Sequence, residues 1–568
     1  MSEEKKGLSR RAFLKTGGVT AAATATGIGL HGAQPAAAQE ATPTVMTAEL
    51  AAQKWSFEIP PDPIPDSEIA DTVTADIIVV GAGVAGMVAT AAAAESGAAV
   101  VLISASSAPV YRGGSFHAAN SRYMRENNVP PYDVDKFFRR ELSAGSYNLD
   151  ETKWWKFYNN SEEALNWLLD KMEGAGYETK LEIGMNDGDM SEPMFQPPAS
   201  HCWLGDGVTA TGMGAELVVK VLEQSARDAG VDIRYKVIAK QLVREDNNTG
   251  RVTAVIAQGQ DGAYTKYVGT KGIILATGDF STNREMMAKY CAWAMPLLDD
   301  TGDLGYDNVF KIGGLMPGDG QKMGLWVGAA WQKTNPCAPM IGGGGTAANR
   351  PYGGHRGLVV NKNGFRYGNE DLNDSFTGVN ILHQPDRKAY AIWATNYAED
   401  GAPWRTFGMA YGDEPIPPAQ IRSNWEAQAA AGSIVSGSTI EEVIEKLGLP
   451  AEATKASVDR YNGFAEAGVD EDYHKSAQYL VPIADGPFYG APLSVGFLTV
   501  LGGLRTNIDM QVCDENDQPI PGLYNIGTMV GDYFSNNYTF RIEGNNLGAN
   551  CLTFGYLTGR GIAEGTLS

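Results

Sequence analysis

The 568 residues carry 45 lysines and arginines against 67 aspartates and glutamates, a formal charge of −22, with 43% hydrophobic and 20% charged residues. That balance predicts a packed chain of roughly two to four domain-sized units, and its acidity argues against nucleic acid or an anionic membrane surface as partner. The five cysteines, Cys202, Cys291, Cys337, Cys513 and Cys551, are scattered and odd in number. They give no disulfide framework, and no CxxC, CxxCH, HExxH or paired-histidine spacing occurs, so no metal site is expected.

The N-terminus reads as an address. Ser9-Arg10-Arg11-Ala12-Phe13-Leu14-Lys15 has the pattern of a twin-arginine export signal. The weakly apolar stretch behind it is too short to span a bilayer, and Ala36-Ala37-Ala38 offers small residues for cleavage before Gln39. Residues 1–38 are therefore expected to be a signal peptide and the mature protein to be extracytoplasmic, periplasmic or cell-surface associated. Residues 39–72 contain Ile59-Pro60-Pro61-Asp62-Pro63-Ile64-Pro65, which reads as an extended linker or surface strap.

Regular structure is expected from Thr74. The apolar run Ile77-Ile78-Val79-Val80 predicts a buried parallel strand, an Ala-rich helix follows over about 84–96, and Val100-Val101-Leu102-Ile103 makes the next strand. Between strand and helix lies Gly81-Ala82-Gly83-Val84-Ala85-Gly86. In this setting Gly81 makes the tight turn, Gly83 lets backbone approach a pyrophosphate at the helix N-terminus, and Gly86 lets helix and strand pack closely. The acid that usually holds a ribose at the end of the second strand is replaced by Ser104, a neutral partner. Further glycine blocks follow: Arg112-Gly113-Gly114-Ser115, Ala276-Thr277-Gly278-Asp279-Phe280, Pro521-Gly522-Leu523-Tyr524 and Glu543-Gly544-Asn545-Asn546-Leu547-Gly548-Ala549-Asn550.

Together these blocks, with Gly318-Asp319-Gly320, Gly502-Gly503 and the strand pair around Gly364-Phe365-Arg366-Tyr367, resemble the FAD-dependent flavoprotein family of soluble fumarate reductases, urocanate reductase and 3-ketosteroid dehydrogenases, over about residues 74–565. The resemblance implies an α/β fold: a Rossmann-like, glutathione-reductase-type FAD-binding domain in two pieces (73–285 and 490–568) with an inserted α+β capping domain (286–489). It implies non-covalent FAD, with contacts at Ala85, Ser104, Ser115, Ser121, Asp319, Thr528, Asn550 and Leu552, beside the glycines Gly81, Gly83, Gly86 and Gly114. A helix starting near Asn546 is expected to aim its positive end at the flavin.

Departures from the family pattern bear on the substrate. Asn546 stands where the fumarate-type pattern has an arginine, Thr499 where it has a histidine, and Asn335-Pro336 where a His-Pro pair is usual. Fumarate and succinate are therefore unexpected substrates. The loop Gly531–Arg541 is expected over the isoalloxazine, with Tyr538 as proton donor and Arg541 gripping a carboxylate or keto oxygen. His117, His201, His355, Arg350 and Arg356 rank below these, and Trp154, Trp155, Phe157 and Tyr158 read as core. The expected activity is reduction of an activated C=C bond in an α,β-unsaturated acid, ester or ketone. A ketosteroid-type dehydrogenase working oxidatively, or an electron-transfer flavoprotein without its own substrate, remain the alternatives. With no second GxGxxG unit and no haem motif, electrons are expected from a separate membrane-linked donor such as a cytochrome or quinol dehydrogenase.

Overall fold

The computed structural model describes residues 54–181, 196–204, 214–297, 316–334, 338–343, 357–372, 374–400, 417–539 and 541–567. The described compact unit begins at Lys54. Its chain opens with strand β1 (Ile69–Val80), helix α1 (Val84–Glu95) and strand β2 (Val100–Ser104). Helices α2 (Val134–Ala144), α3 (Glu151–Gly174) and α4 (Ala215–Asp228) follow, then strands β3 (Asp232–Tyr235), β4 (Ile238–Arg244), β5 (Val252–Gln258) and β6 (Tyr264–Leu275).

A second set of strands comprises β7 (Ala338–Gly343), β8 (Leu358–Asn361), β9 (Lys388–Ala394), β10 (Val435–Gly437) and β11 (Phe488–Leu501). The chain then returns through β12 (Gln511–Cys513), β13 (Pro519–Asn525) and the C-terminal helix α5 (Phe554–Glu564).

The first sheet runs β12-β13-β6-β1-β2-β3, with β5 on β6 and β4 on β5. Its centre is parallel: β1 pairs with β2 and β6, and β13 with β6. Strand β1 starts at Ile69, ahead of the expected Thr74, because its first residues pair with Tyr264–Gly269. Its last four residues, Ile77 to Val80, are buried on both faces, as a central parallel strand covered by helices requires. Helix α1 is buried from Val84 to Ala93 and packs against both α4 and α5. Its alanines permit that close approach, and its burial on all sides accounts for a sequence without an amphipathic stripe.

The second sheet runs β7-β11-β9-β8, with β10 also on β11, and all its pairs are antiparallel. Strand β11 serves three neighbours: Phe488–Ser494 pairs with β9, Phe488–Gly490 also with β10, and Val495–Leu501 with β7. It thus crosses the 489/490 boundary drawn from sequence. This sheet has its own core, built on Trp393, Tyr397, Trp425, Tyr461 and Tyr489.

The described part of the Pro-rich segment is a strap. Gln241 donates to the Asp62 carbonyl at 2.7 Å and accepts from the Ile64 N–H at 2.9 Å. The Trp326 indole N–H donates to the Phe57 carbonyl at 2.8 Å, and the Phe57 ring is buried beside Phe280, Met286 and Val500.

The β1–α1 turn sets the geometry of everything around it. Gly81 has φ +116°, a conformation that L side chains rarely adopt. Gly86 lies so close that a Cβ there would collide with the Gly81 carbonyl oxygen. Gly86→Ala is expected to destabilise the protein by about 1–3 kcal/mol, the usual cost of overpacking against immobile backbone. Chemical denaturation of the two proteins measures this, and equal stability would show that helix and turn can separate freely.

Candidate functional site

A cavity of about 300 Å3 opens at the carboxyl ends of β1, β2 and β6, where open α/β sheets bind their ligands. Its floor is the Gly81-Ala82-Gly83 turn. The turn is pinned by three backbone hydrogen bonds: Gly81 N–H to Ile103 O at 2.8 Å, Ala276 N–H to Val80 O at 2.8 Å, and Val110 N–H to Ala82 O at 2.9 Å. Gly83 is the N-cap of α1, with no side chain capping the helix and no acid in its first turn. The helix therefore presents its N-terminal N–H groups and positive dipole end to an anion.

At the far edge of the floor, Ser104 and Ser106 face the cavity with their hydroxyls 2.8 Å apart. Ser106 donates to the Ala108 carbonyl at 2.7 Å, so Ser104 must donate to Ser106. That leaves Ser104 Oγ with accepting capacity toward the cavity, where it suits a ribose hydroxyl without offering a charge.

One wall is the segment from Gly527 to Leu547, which contributes Thr528, Tyr538, Glu543, Gly544 and Asn546. The loop inside it is fastened to α2 and α3 along its length. Buried Lys153 donates to the Gly531 carbonyl at 2.7 Å, the Asp150 N–H to Asp532 O at 2.9 Å, and the Trp154 indole N–H to Tyr533 O at 2.8 Å. The Trp154 and Tyr533 rings stack with centroids 4.7 Å apart. Farther along, Asn536 donates to the Gly145 carbonyl at 3.2 Å and Thr539 to the Glu141 carboxylate at 2.7 Å.

Tyr538 reaches the cavity with its ring packed on Phe534 and its hydroxyl donating to Ile542 O at 3.3 Å. Burial holds its ionisation well above the usual phenol range. The charge of Glu543 adds to that rise, and hydrogen bonds from the backbone of Asn546 and Asn545 oppose it. Arg541 is not among the lining residues. Its N–H donates to Thr539 Oγ1 at 3.2 Å, and its charge bears on buried Glu141, whose carboxyl burial pushes up. The structure thus brings Tyr538, and not Arg541, to the lining of this cavity.

Of the expected cofactor contacts, Gly81, Gly83, Ala85, Ser104, Gly114, Ser115, Asp319 and Thr528 line this one cavity. Gly86 lies behind the turn, acting through its missing side chain. Ser121 is displaced from the expected contact: it caps the helix Arg122–Glu126, accepting from Met124 N–H at 3.0 Å, and its hydroxyl meets His201 Nε2 at 2.8 Å. Asn550 and Leu552 are not among the lining residues; they sit in a π-helical turn, Leu547–Thr553, which leads into α5, and Cys551 between them lines the cavity. The wider π turn shifts side-chain directions relative to an α-helix, which sequence spacing does not anticipate. Burial pushes the Cys551 thiol up to about 12, so it is a packing group and no nucleophile.

His117 is fully buried with both ring nitrogens engaged. Ser200 gives its proton to the Glu543 carbonyl at 2.5 Å, so it accepts from His117 Nδ1 at 3.3 Å, and Nε2 accepts from the Tyr132 hydroxyl at 2.6 Å. Burial drives its pKa down to about 3, so it is neutral. Trp154, Phe157 and Tyr158 are core residues, as expected. Asn335, Pro336, Arg350, His355 and Arg356 lie outside the described residues. Among the described residues no group of His, Cys, Asp and Glu is arranged to hold a metal ion, and no helix is long and apolar enough to cross a membrane.

Two wall residues carry no role in the sequence reading. Asp279 accepts five hydrogen bonds, from the Ser281 N–H and hydroxyl, the Met316 and Val500 N–H groups and the Thr499 hydroxyl. It thereby fixes Thr499, the only lining residue contributed by the second sheet among those described. The other is Arg112, whose Nη2 is buried without a hydrogen-bond partner. An unspent guanidinium and a bare helix N-terminus facing one cavity suit a dinucleotide with a diphosphate, and the accepting Ser104 suits its ribose.

The chain matches the FAD binding domain family over residues 76–547. It is 26% identical to the vinyl phenol reductase of Lactiplantibacillus plantarum, with 85% of this chain and 94% of that protein covered. It is 24% identical to the urocanate reductase of Eggerthella lenta, with 84% and 73% covered. The fold superposes on the 3-ketosteroid-Δ4-(5α)-dehydrogenase of Rhodococcus jostii with a TM-score of 0.66 at 22% identity, over 88% of this chain and 99% of that one. The cradle, the wall and the sheet order thus have one common explanation: the chain belongs to the FAD binding domain family and is a flavoprotein oxidoreductase whose cofactor is FAD.

Proposed function

We propose that the protein is exported by the twin-arginine route and there reduces an activated C=C bond in a small unsaturated substrate, using non-covalently held FAD and electrons from a separate membrane-linked donor. What carries the reading is Tyr538: a protonated phenol on the cofactor cavity, held by a loop that two helices immobilise. The cofactor, when bound and reduced, contributes a hydride to one alkene carbon. The chain must supply a proton to the other carbon, and in this reading that role is assigned to Tyr538.

The hydrogen bond of Tyr538 to Ile542 O is long at 3.3 Å, so little is lost when the proton turns toward a substrate. The phenolate left behind is stabilised by the backbone hydrogen bonds from Asn546 and Asn545, at the N-terminal end of the last helical segment, where a negative charge is favoured. In this reading Arg541 acts on the loop through its contact with Thr539 and its charge on Glu141, and substrate contact is assigned to Tyr538 and Thr499. The vinyl phenol reductase and urocanate reductase names of its relatives favour the reductive direction over the oxidative one.

Three outcomes are expected. In viologen-coupled assays across enoates, enones and vinyl phenols, Tyr538→Phe keeps FAD bound and reducible by dithionite, while reoxidation by substrate slows by roughly two to four orders of magnitude, the usual worth of a positioned general acid. A parent-like rate in this variant would assign the proton to another group. Fumarate is turned over poorly or not at all, because Asn546 and Thr499, which line the cavity, stand where the fumarate-type pattern has an arginine and a histidine, so the described wall offers a dicarboxylate no cationic grip there. Efficient fumarate reduction would overturn that reading of the wall. Replacing Arg10 and Arg11 together by lysine leaves the protein in the cytoplasmic fraction; unchanged export would show that the leader is read by another route.

A further inference from the structure

The segment Val110–Gly114 lies directly against the floor of the cofactor cavity. The Val110 N–H donates to the Ala82 carbonyl at 2.9 Å, so the chain passes Arg112 alongside the Gly81–Gly83 turn. The Gly113 carbonyl on its other side accepts from the Ala215 N–H at 3.2 Å, which fixes the segment from both ends.

Arg112 is the only lysine or arginine among the described residues lining the cavity. The protein does not use up its donors, since Nη2 is buried without a partner. The carboxylates nearby are already committed. Asp279, the one whose charge acts on Arg112, accepts five other hydrogen bonds, and Asp319 pairs with Lys322 at 2.7 Å. Burial lowers the guanidinium to about 10, so it remains charged at neutral pH. A buried cation with unspent donors is costly unless an anion meets it.

Two further features call for that anion to be supplied by the cofactor. Helix α1 presents only its backbone to the floor, with no capping side chain, and a helix terminus offsets about half a unit charge where a diphosphate brings about two. At the ribose, Ser104 offers a neutral contact in place of a carboxylate. The remaining affinity has to come from elsewhere in the cavity.

We propose that Arg112 is an anchoring contact for the diphosphate of FAD, its planar fork matching phosphate oxygens beside the Gly81–Gly83 turn. The contact complements the helix N-terminus and takes over part of the holding power that the ribose site lacks.

The test is FAD binding, not turnover. FAD is removed from the holoprotein and titrated back, following flavin fluorescence, in the parent, Arg112→Gln and Arg112→Lys. Loss of the charge-assisted bonds in Arg112→Gln should raise the FAD dissociation constant by roughly one to two orders of magnitude. The parent's affinity should also fall more steeply with added KCl than the variant's. Arg112→Lys keeps the charge without the fork, so it should lie between the two and shows the effect even if the glutamine variant folds poorly. The midpoint potential of bound flavin should be the same in all three, because the charge meets the diphosphate and not the ring. An unchanged FAD affinity would place the guanidinium against substrate or solvent and overturn the proposal. A shifted potential with unchanged affinity would overturn it too, by placing the charge at the isoalloxazine.

Discussion

The contact between Gly86 and the Gly81 carbonyl governs the molecule more than any charged interaction does. It brings the N-terminus of α1 down onto the end of β1, and so points a column of backbone N–H groups into the space above the sheet. Because β1 is central and parallel, buried on both faces, that space opens at the carboxyl edge, where β2 and β6 also end. The cavity's location follows from topology and the absence of two side chains. Its chemistry is added by loops, and the second sheet adds to the described wall through Thr499.

Those loops are held in different ways, which suits different tasks. The floor is tied by backbone hydrogen bonds to neighbouring strand ends, giving a rigid seat for the cofactor. The wall bearing Tyr538 is tied by side chains reaching from α2 and α3: an ammonium, an indole and a hydroxyl–carboxylate pair. Side-chain ties can be varied without disturbing the sheet. In this arrangement the cofactor seat is fixed by the fold, while the wall bearing Tyr538 is free to diverge.

How much was legible in the sequence follows from this division. The βαβ unit, the turn and its glycines read directly, because local rules fix them: a continuous apolar run, a glycine for positive φ, an Ala-rich helix. The start of β1 at Ile69 did not, since polar residues there become strand only by pairing with Tyr264–Gly269. Ser121 was read as a cofactor contact, yet a serine before Arg122–Glu126 is also an ordinary helix cap, and the cap is the role it fills. Asn550 and Leu552 were expected as contacts from the family resemblance, and they stand in a π turn whose Cys551 lines the cavity. The partners of Arg541, Glu141 and Thr539, lie 398 positions apart, and no local pattern announces such a pairing.

Lys153 extends the point to the dynamics of the wall. Its ammonium is fully buried, 3.6 Å from Asp150 and bonded to the Gly531 carbonyl. Lifting the loop away would leave that charge short of a partner in an apolar setting, beside the separated rings of Trp154 and Tyr533. Loop and helix terminus are therefore one cooperative unit that opens together or not at all. A change at the first turn of α3, far from the cavity in sequence, is in energetic terms a change in the cavity wall.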